Sequence, residues 1–146
     1  MGPDVGEPLE LRVGSGPVVT AASPFPHELG SIPAARRWLR SVLADWSLPA
    51  ATTEDVMLMA NELTTNVVLH AGTDYQLKVI LDGPRVRVEV SDHSPDSPHA
   101  NGQWGMAPEN DGGRGLAIVE TLASRWGSRP TAEGKTVWFE LEPSPP

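Results

Sequence analysis

Two polar side chains, Glu62 and Asn66, interrupt an otherwise apolar segment of the sequence. They are four residues apart, so in a helix they project from one side, with about 6 Å of rise between them. Asparagine is a poor residue for a helix interior because its amide competes for backbone hydrogen bonds. A carboxylate and an amide oxygen placed in this way can act on a hydrated Mg²⁺ and a phosphate in transfer. The alternative is a solvent-facing polar stripe that also includes Asn61 and Thr65.

A carboxylate, Asp92, stands at the end of a second apolar segment. At a strand terminus it could accept a hydrogen bond from an exocyclic amine, as in the recognition of adenine. It could equally start a turn, which is a common role of aspartate. Both interpretations stay open on the sequence alone.

A glycine cluster, Gly112-Gly113-Arg114-Gly115-Leu116, precedes a helical pattern. Glycines there let backbone N–H groups approach an anion, and a helix N-terminus adds positive potential. The guanidinium of Arg114 could supply a forked contact to phosphate. The cluster could also be only a hinge, and it matches neither a P-loop nor a Rossmann fingerprint.

The histidines show no metal-ligand spacing with carboxylates on a shared face, and His70 fits a favourable position at the end of a helix. Trp104 stands in a polar, proline-containing stretch and could cover a ligand or a partner. The four histidines are His27, His70, His93 and His99.

Alternating apolar residues predict the strands that carry these groups. The predicted strands cover residues 9–13, 17–20, 75–81, 85–91, 125–129 and 136–141, with a hairpin turn at Asp82-Gly83. The Asp-Gly pair is a strong hairpin signal. From Asp92 to about Gly112 the chain is polar and loop-forming, and a loop of that length in a compact domain is usually functional or disordered.

Apolar residues at intervals of three and four predict three helices. The first covers residues 34–46 with Ser31 as its N-cap. The second begins with a cap at Thr52 or Thr53 and ends at Ala71-Gly72, and the third covers residues 115–124. This mixed order, with antiparallel hairpins, indicates an α+β two-layer sandwich with a mainly antiparallel sheet.

Composition narrows the classes of function. The 146 residues suit one domain, which we place at 9–142 between tails at 1–8 and 143–146. A net charge of -8 disfavours direct binding of nucleic acid or anionic lipid. Without cysteine there are no disulfides or thiol chemistry. With no signal peptide and no apolar run of about 20 residues, we expect a cytoplasmic protein that does not enter a membrane.

The order of these motifs resembles the ATP-binding fold of the GHKL superfamily, which includes gyrase, the heat-shock chaperone and histidine kinases. The segment 61–71 is similar to the N-box of single-domain bacterial anti-sigma-factor serine kinases, especially the actinobacterial type. The segment 113–123, followed by Arg125-Trp126-Gly127, is similar to their second glycine box. Gly134-Lys135-Thr136 enters the last strand, and the likeness runs from about Leu9 to Leu141.

The resemblance implies a role for each candidate residue. Asn66 would coordinate Mg²⁺ and Glu62 would act as, or orient, the general base. Asp92 would bind the adenine amino group, with Thr136 supporting that contact through its hydroxyl. The remaining residues implied in nucleotide binding are Gly113 and Gly115, through their amides, with Arg114 and Leu116. Residues 93–112 would form the ATP lid, which closes over the nucleotide and excludes water.

One departure from the family pattern D-x-G-x-G follows Asp92. Ser94 stands at the first glycine position and Asp96 at the second. The backbone is stiffer there, and the added carboxylate repels phosphate. The lid glycines Gly102 and Gly105 are the residues that could compensate.

The resemblance implies an ATP-dependent serine/threonine protein kinase that works by partner switching. Such a protein holds a sigma factor inactive and releases it on binding and phosphorylating a small anti-anti-sigma protein of the STAS type. The alternative is a nucleotide-binding regulatory protein with little or no kinase activity. The arginines of the first predicted helix, Arg36, Arg37 and Arg40, are either a solvated face or a partner surface, and relatives often form homodimers.

Overall fold

The computed structural model describes the backbone of residues 18–94 and 111–143, and the side chains of the same residues except 111–115. Within these ranges the chain forms three α-helices, one π-helical turn and five strands. In chain order they are β1 (Val18–Phe25), α1 (Ser31–Asp45), α2 (Ala50–Asn66), the π-helical turn (Val67–Ala71), β2 (Tyr75–Asp82), β3 (Arg85–Asp92), α3 (Asp111–Leu122), β4 (Arg125–Pro130) and β5 (Lys135–Leu141).

The five strands form one sheet in the order β1-β2-β3-β5-β4, and every neighbouring pair is antiparallel. One face of the sheet and the apolar sides of the helices make a single core. Successive side chains of a strand point to opposite faces, so alternate residues of β2, β3 and β5 enter this core. Its fully buried members include Leu39, Leu43, Val56, Leu63, Leu77, Val79, Val88, Val90 and Phe139. The predicted α+β two-layer sandwich is confirmed.

The C-terminal end of α2 is joined to one particular end of the sheet. After Asn66 the chain makes the π-helical turn, and Gly72 closes it with a left-handed φ of 72°. Glycine suits this position because it has no Cβ to clash at positive φ. Three residues after Gly72, Tyr75 opens β2 and lies opposite Asp92, the last residue of β3. The helix that carries Glu62 and Asn66 therefore ends beside the sheet end that carries Asp92.

Two side-chain contacts tie that connection down. Thr73 Oγ1 accepts a hydrogen bond of 3.0 Å from the backbone N–H of His93, the residue after Asp92. Asp74 Oδ1 accepts one of 2.8 Å from the N–H of His27, just beyond β1. The α2–β2 connection is thus fastened to both neighbouring strand ends.

The predicted helix caps are wrong. The residue at the N-cap of α1 is Gly30, and the Ser31 hydroxyl is buried at 2.7 Å from the hydroxyl of Tyr75. Helix α2 follows Pro49 and begins at Ala50, so Thr52 lies inside it and is buried. Proline fixes the φ that an N-terminal flank needs and lacks an N–H, which lets the helix start earlier than a threonine cap would.

Other boundaries moved by a few residues. Helix α1 ends at Asp45, and Ser47 takes a left-handed φ of 58° before Pro49. The hairpin at Asp82-Gly83 is confirmed, as are the strands on either side of it. Strand β1 runs to Phe25, beyond the predicted 17–20, and the predicted strand at 9–13 lies outside the described residues. In the described part of the chain, no helix is long and apolar enough to cross a bilayer.

The single tyrosine of the chain, Tyr75, sits in the core next to the Ser31 hydroxyl. Its ring stacks on Phe25 with 5.8 Å between centroids. Burial raises the pKa of Tyr75 above the ordinary 10.0, because the phenolate would lose its hydration, and the hydrogen bond with Ser31 opposes part of the rise.

We therefore expect alkaline pH to destabilise the fold through Tyr75. A raised pKa means that the folded chain holds the proton more tightly, so this contribution to stability is complete below pH 10.0 and is lost as the pH rises through the folded-state pKa. Tyrosinate absorbance should appear at higher pH in the folded protein than in denaturant. Tyr75→Phe should cost about 1 kcal/mol at neutral pH and flatten the alkaline decline. A folded-state midpoint at or below 10.0 would contradict this assignment.

Candidate functional site

Asn66 is a buried residue at the last position of α2 and is 4% exposed. The solvent-facing alternative for this side chain is therefore wrong. Its Nδ2 atom has no hydrogen-bond partner within the described part of the chain. A buried polar atom without a partner is rare in folded proteins and needs a ligand, a water or another group to satisfy it. The amide of Asn66 is thus suited to a ligand. Rotation of the amide group exchanges Nδ2 and Oδ1, so the side chain can present either a donor or an acceptor.

Glu62 is half-buried one turn before Asn66 on the same side of α2. Among the described residues it has no ion-pair or hydrogen-bond partner. Its carboxylate is therefore not neutralised by a neighbouring arginine or lysine of those residues. A half-buried carboxylate of this kind can accept a proton or orient a hydroxyl, provided that its partner is supplied by a bound molecule.

Asp92 lies on the face of the sheet that packs against the helices. In β3 it follows Val86, Val88 and Val90 at intervals of two residues, and these three are fully buried in the core. Its Oδ1 accepts a hydrogen bond of 2.8 Å from the N–H of Ser94. This bond to the residue two positions on is the turn-forming contact that the sequence left as an alternative. The turn occupies Oδ1, whereas Oδ2 accepts no hydrogen bond among the described residues and is contacted through an ion pair.

Lys135 is the functional candidate that sequence reasoning missed. It is opposite Asp92 in the β3–β5 register and is 3% exposed. Its Nζ lies 3.1 Å from Asp92 Oδ1 and 3.0 Å from Oδ2, while the Asp92 side chain has 0% exposure. An ion pair withdrawn from water requires good geometry, since both ions lose hydration. Its place in the sequence could have indicated this role, because Lys135 is a polar residue at the point where an alternating apolar strand begins.

The expected hydroxyl support from Thr136 is corrected by the register. Thr136 lies opposite Ser91, and their hydroxyl oxygens are 2.8 Å apart. Because adjacent residues of a strand face opposite sides, Thr136 and Asp92 are on opposite faces of the sheet. The residue that contacts the Asp92 carboxylate from β5 is Lys135.

Ser94, which replaces the first glycine of the family pattern, is accommodated without exposing its side chain. It is 4% exposed, and its N–H closes the turn on Asp92. The substitution therefore leaves the carboxylate of Asp92 anchored. Asp96, Gly102, Trp104, Gly105 and most of the expected lid lie outside the described residues.

Gly134 lies against the backbone that carries Asp92. A Cβ at this position would overlap the Asp92 carbonyl oxygen and lie 2.7 Å from the Cα of His93. Backbone atoms cannot move aside as a flexible side chain can. Only glycine lets the start of β5 approach β3 closely enough to bring Lys135 to Asp92.

The glycine cluster is inside a helix rather than before it. Helix α3 begins at Asp111, so Gly113 and Arg114 fall in its first turn and Gly115 follows them. The first four N–H groups of a helix lack acceptors within it, so the amide of Gly113 has no partner in the helix, whereas that of Gly115 belongs to the helix ladder. Leu116 is 1% exposed and packs in the core, which fixes the helix on the sheet. Helix α3 packs against α2, so both candidate elements belong to one layer.

These elements define a class of protein. Residues 25–141 match the family model of the histidine kinase-like ATPase domain. The chain belongs to this family, the ATP-binding domains of the GHKL superfamily. A search of curated proteins finds no match to the chain.

We predict that Gly134→Ala disturbs both the fold and the position of the Asp92 carboxylate. The added methyl should push β5 away from Asp92, at a cost of about 1–3 kcal/mol in the free energy of unfolding. Denaturant unfolding measures that cost, and calorimetry with ATP measures the accompanying loss of affinity.

Gly30→Ala is the matched control. Its φ is -65°, and a Cβ there meets nothing within 4 Å, so this variant should change stability by no more than about 0.5 kcal/mol. If Gly134→Ala and Gly30→Ala have the same free energy of unfolding, the close approach of β5 to β3 at Gly134 does not require glycine.

Proposed function

We propose that this chain is an ATP-dependent serine/threonine protein kinase that regulates a sigma factor by partner switching. Family membership supports an ATP-binding domain with a kinase or ATPase kind of activity. The observation that carries the proposal furthest is the pairing on α2 of a half-buried Glu62, unpartnered among the described residues, with a buried Asn66 whose amide nitrogen lacks a partner there. A carboxylate and an amide one turn apart are the groups that phosphoryl transfer needs for a base and a metal ligand.

The residues present fit a magnesium nucleotide. Mg²⁺ prefers hard oxygen ligands and keeps several waters, so one amide oxygen together with substrate phosphates is enough to hold it. Asn66 would supply that oxygen. Asp92 would accept a hydrogen bond from the adenine amino group, and the amide of Gly113 would contact phosphate. When bound, the ion would neutralise charge on the phosphates.

Glu62 would act on the hydroxyl of the acceptor serine. As general base it would accept the hydroxyl proton, or it would orient the hydroxyl by accepting a hydrogen bond. It has no cation beside it in the described chain to hold it in another role. Transfer depends mostly on positioning and electrostatics, so these few groups suffice.

The partners are proposed from the resemblance of the 61–71 segment to the N-box of anti-sigma-factor kinases. The sigma factor would be held while the acceptor is absent. A small STAS-type anti-anti-sigma protein would displace it and receive phosphate on serine. The exposed arginine face of α1 (Arg36, Arg37 and Arg40) is a surface on which an acidic partner could dock, in a chain of net charge -8.

Asn66→Ala should abolish the Mg²⁺-dependent part of ATP binding. Calorimetric titration with ATP, with and without Mg²⁺, separates that part from the rest. Asn61→Ala is the matched control. Asn61 Oδ1 is also buried without a hydrogen-bond partner among the described residues, but Asn61 lines a cavity of about 10 Å³ with Ala35 and Arg36 of α1, to which Asn66 does not contribute. Equal Mg²⁺ dependence in both variants would remove Asn66 from the metal site.

Glu62→Gln should leave ATP affinity within a few-fold and slow phosphoryl transfer by about 10²–10⁴, the usual contribution of a general base. Single-turnover transfer of labelled phosphate measures the rate. The control is Glu54→Gln on the same helix, where the carboxylate is exposed and lies 3.4 Å from Arg40. A transfer rate unchanged in Glu62→Gln would exclude the base role.

The proposal itself is tested by incubating the chain with labelled ATP and Mg²⁺. Each STAS-type protein of the source genome is added in turn. The sigma factors used are those that co-elute with the chain in size-exclusion chromatography. Label on a serine of one such protein, with release of the sigma factor, is the expected result.

A regulatory protein without transfer is the second candidate function. It is favoured by Ser94, which stands at the first glycine position of the family pattern and makes the backbone stiffer there. It would replace the kinase proposal if ATP binds and changes partner affinity while no label reaches any partner.

A further inference from the structure

The Asp92–Lys135 pair places an acceptor and a donor side by side at the end of the sheet. The Lys135 ammonium contacts both carboxylate oxygens, at 3.1 Å and 3.0 Å. Oδ1 is further committed to the N–H of Ser94, whereas Oδ2 has no hydrogen bond among the described residues. An acceptor oxygen with unused capacity therefore lies directly beside an ammonium nitrogen.

Adenine presents the complementary pair on its Watson–Crick edge. The exocyclic 6-amino group is a donor, and the adjacent ring nitrogen N1 is an acceptor. An ionised carboxylate can only accept, and an ammonium can only donate. A carboxylate alone can satisfy the amino group, so a second group is needed to satisfy N1.

We propose that Lys135 is a base-specificity residue, which donates a hydrogen bond to N1 of an adenine whose amino group donates to Asp92 Oδ2. This proposal rests on the proposed binding of ATP and deepens it by naming the group that reads the ring nitrogen. Lys135 occupies the place on the helix-facing side of β5 that the family resemblance implied for Thr136, and Thr136 is turned to the other face.

The position of the pair argues for recognition rather than stability alone. A buried ion pair is weak evidence for stability, because desolvation of both charges offsets their attraction. The pair instead has a defined orientation. Gly134 brings β5 against Asp92, and the turn to Ser94 holds Oδ1. A donor and an acceptor that are held in fixed positions away from water discriminate strongly between ligands. A ligand that lacks the complementary group leaves a buried donor or acceptor without a hydrogen bond, which lowers its affinity.

The test compares ADP with 1-deaza-ADP, in which N1 is replaced by a C–H group that accepts no hydrogen bond. Both are titrated into the wild-type chain and into Lys135→Met, a variant that keeps side-chain length and removes the donor. Wild-type protein should bind ADP at least about tenfold more tightly than 1-deaza-ADP, because a hydrogen bond from a charged donor is lost. In Lys135→Met the two nucleotides should bind with nearly equal affinity.

Several results would overturn the inference. Equal binding of the two nucleotides by the wild type shows that N1 is not read. A preference that persists in Lys135→Met shows that another group reads it. Tighter binding of both nucleotides by Lys135→Met shows that the lysine competes with the base for Asp92. Lys135→Gln is the second variant, used if circular dichroism shows that Lys135→Met does not fold. Glutamine keeps a donor, so Lys135→Gln should preserve part of the preference for ADP over 1-deaza-ADP.

Failure of the proposed function looks different. If neither ADP nor 1-deaza-ADP binds to a folded wild-type chain with Mg²⁺, nucleotide binding itself is refuted and the inference falls with it. If ADP binds and only the N1 comparison fails, the proposed function stands and the role of Lys135 is refuted.

Discussion

The antiparallel pairing of β3 with β5 is the constraint on which the candidate site depends. Pairing places Lys135 opposite Asp92 on the face covered by helices, and the two side chains meet there away from water. A shift of the register by one residue would turn Lys135 to the far face and bring Thr136 to Asp92. The close approach at Gly134 and the alternating apolar residues Val137 and Phe139 both hold the observed register.

The face of the sheet opposite the helices carries charged side chains that pair with one another. There Arg87 donates hydrogen bonds to Glu89 and Glu140, at 2.7 Å and 2.8 Å, and its guanidinium lies 4.1 Å from the centre of the Trp138 ring. These charges satisfy one another across β3 and β5. The helix-facing side holds a different arrangement, with Asn66 partly unsatisfied and Glu62 without a partner in the described chain. Asn66 Nδ2 and Asp92 Oδ2 are therefore buried polar atoms that a ligand could satisfy.

Several elements could be predicted because local chemistry decides them. The hairpin at Asp82-Gly83 follows from a turn pair that accepts positive φ, and Gly83 takes a φ of 62°. Helix caps failed because the competing partner is distant in sequence, as with the Ser31 hydroxyl that contacts Tyr75. The start of α3 was placed too late because glycines lower helix propensity, and tertiary packing of Leu116 outweighs that cost.

The sequence by itself determined the α+β class and the same-side spacing of Glu62 and Asn66. It also determined that Asp92 ends an apolar strand. These follow from periodicity and residue type, which act over a few positions. Only the tertiary structure decided that Asn66 is buried and that Lys135, rather than Thr136, meets Asp92. The burial of Asn66 depends on how α2 packs in the fold. The contact of Lys135 with Asp92 depends on the register between segments more than 40 residues apart.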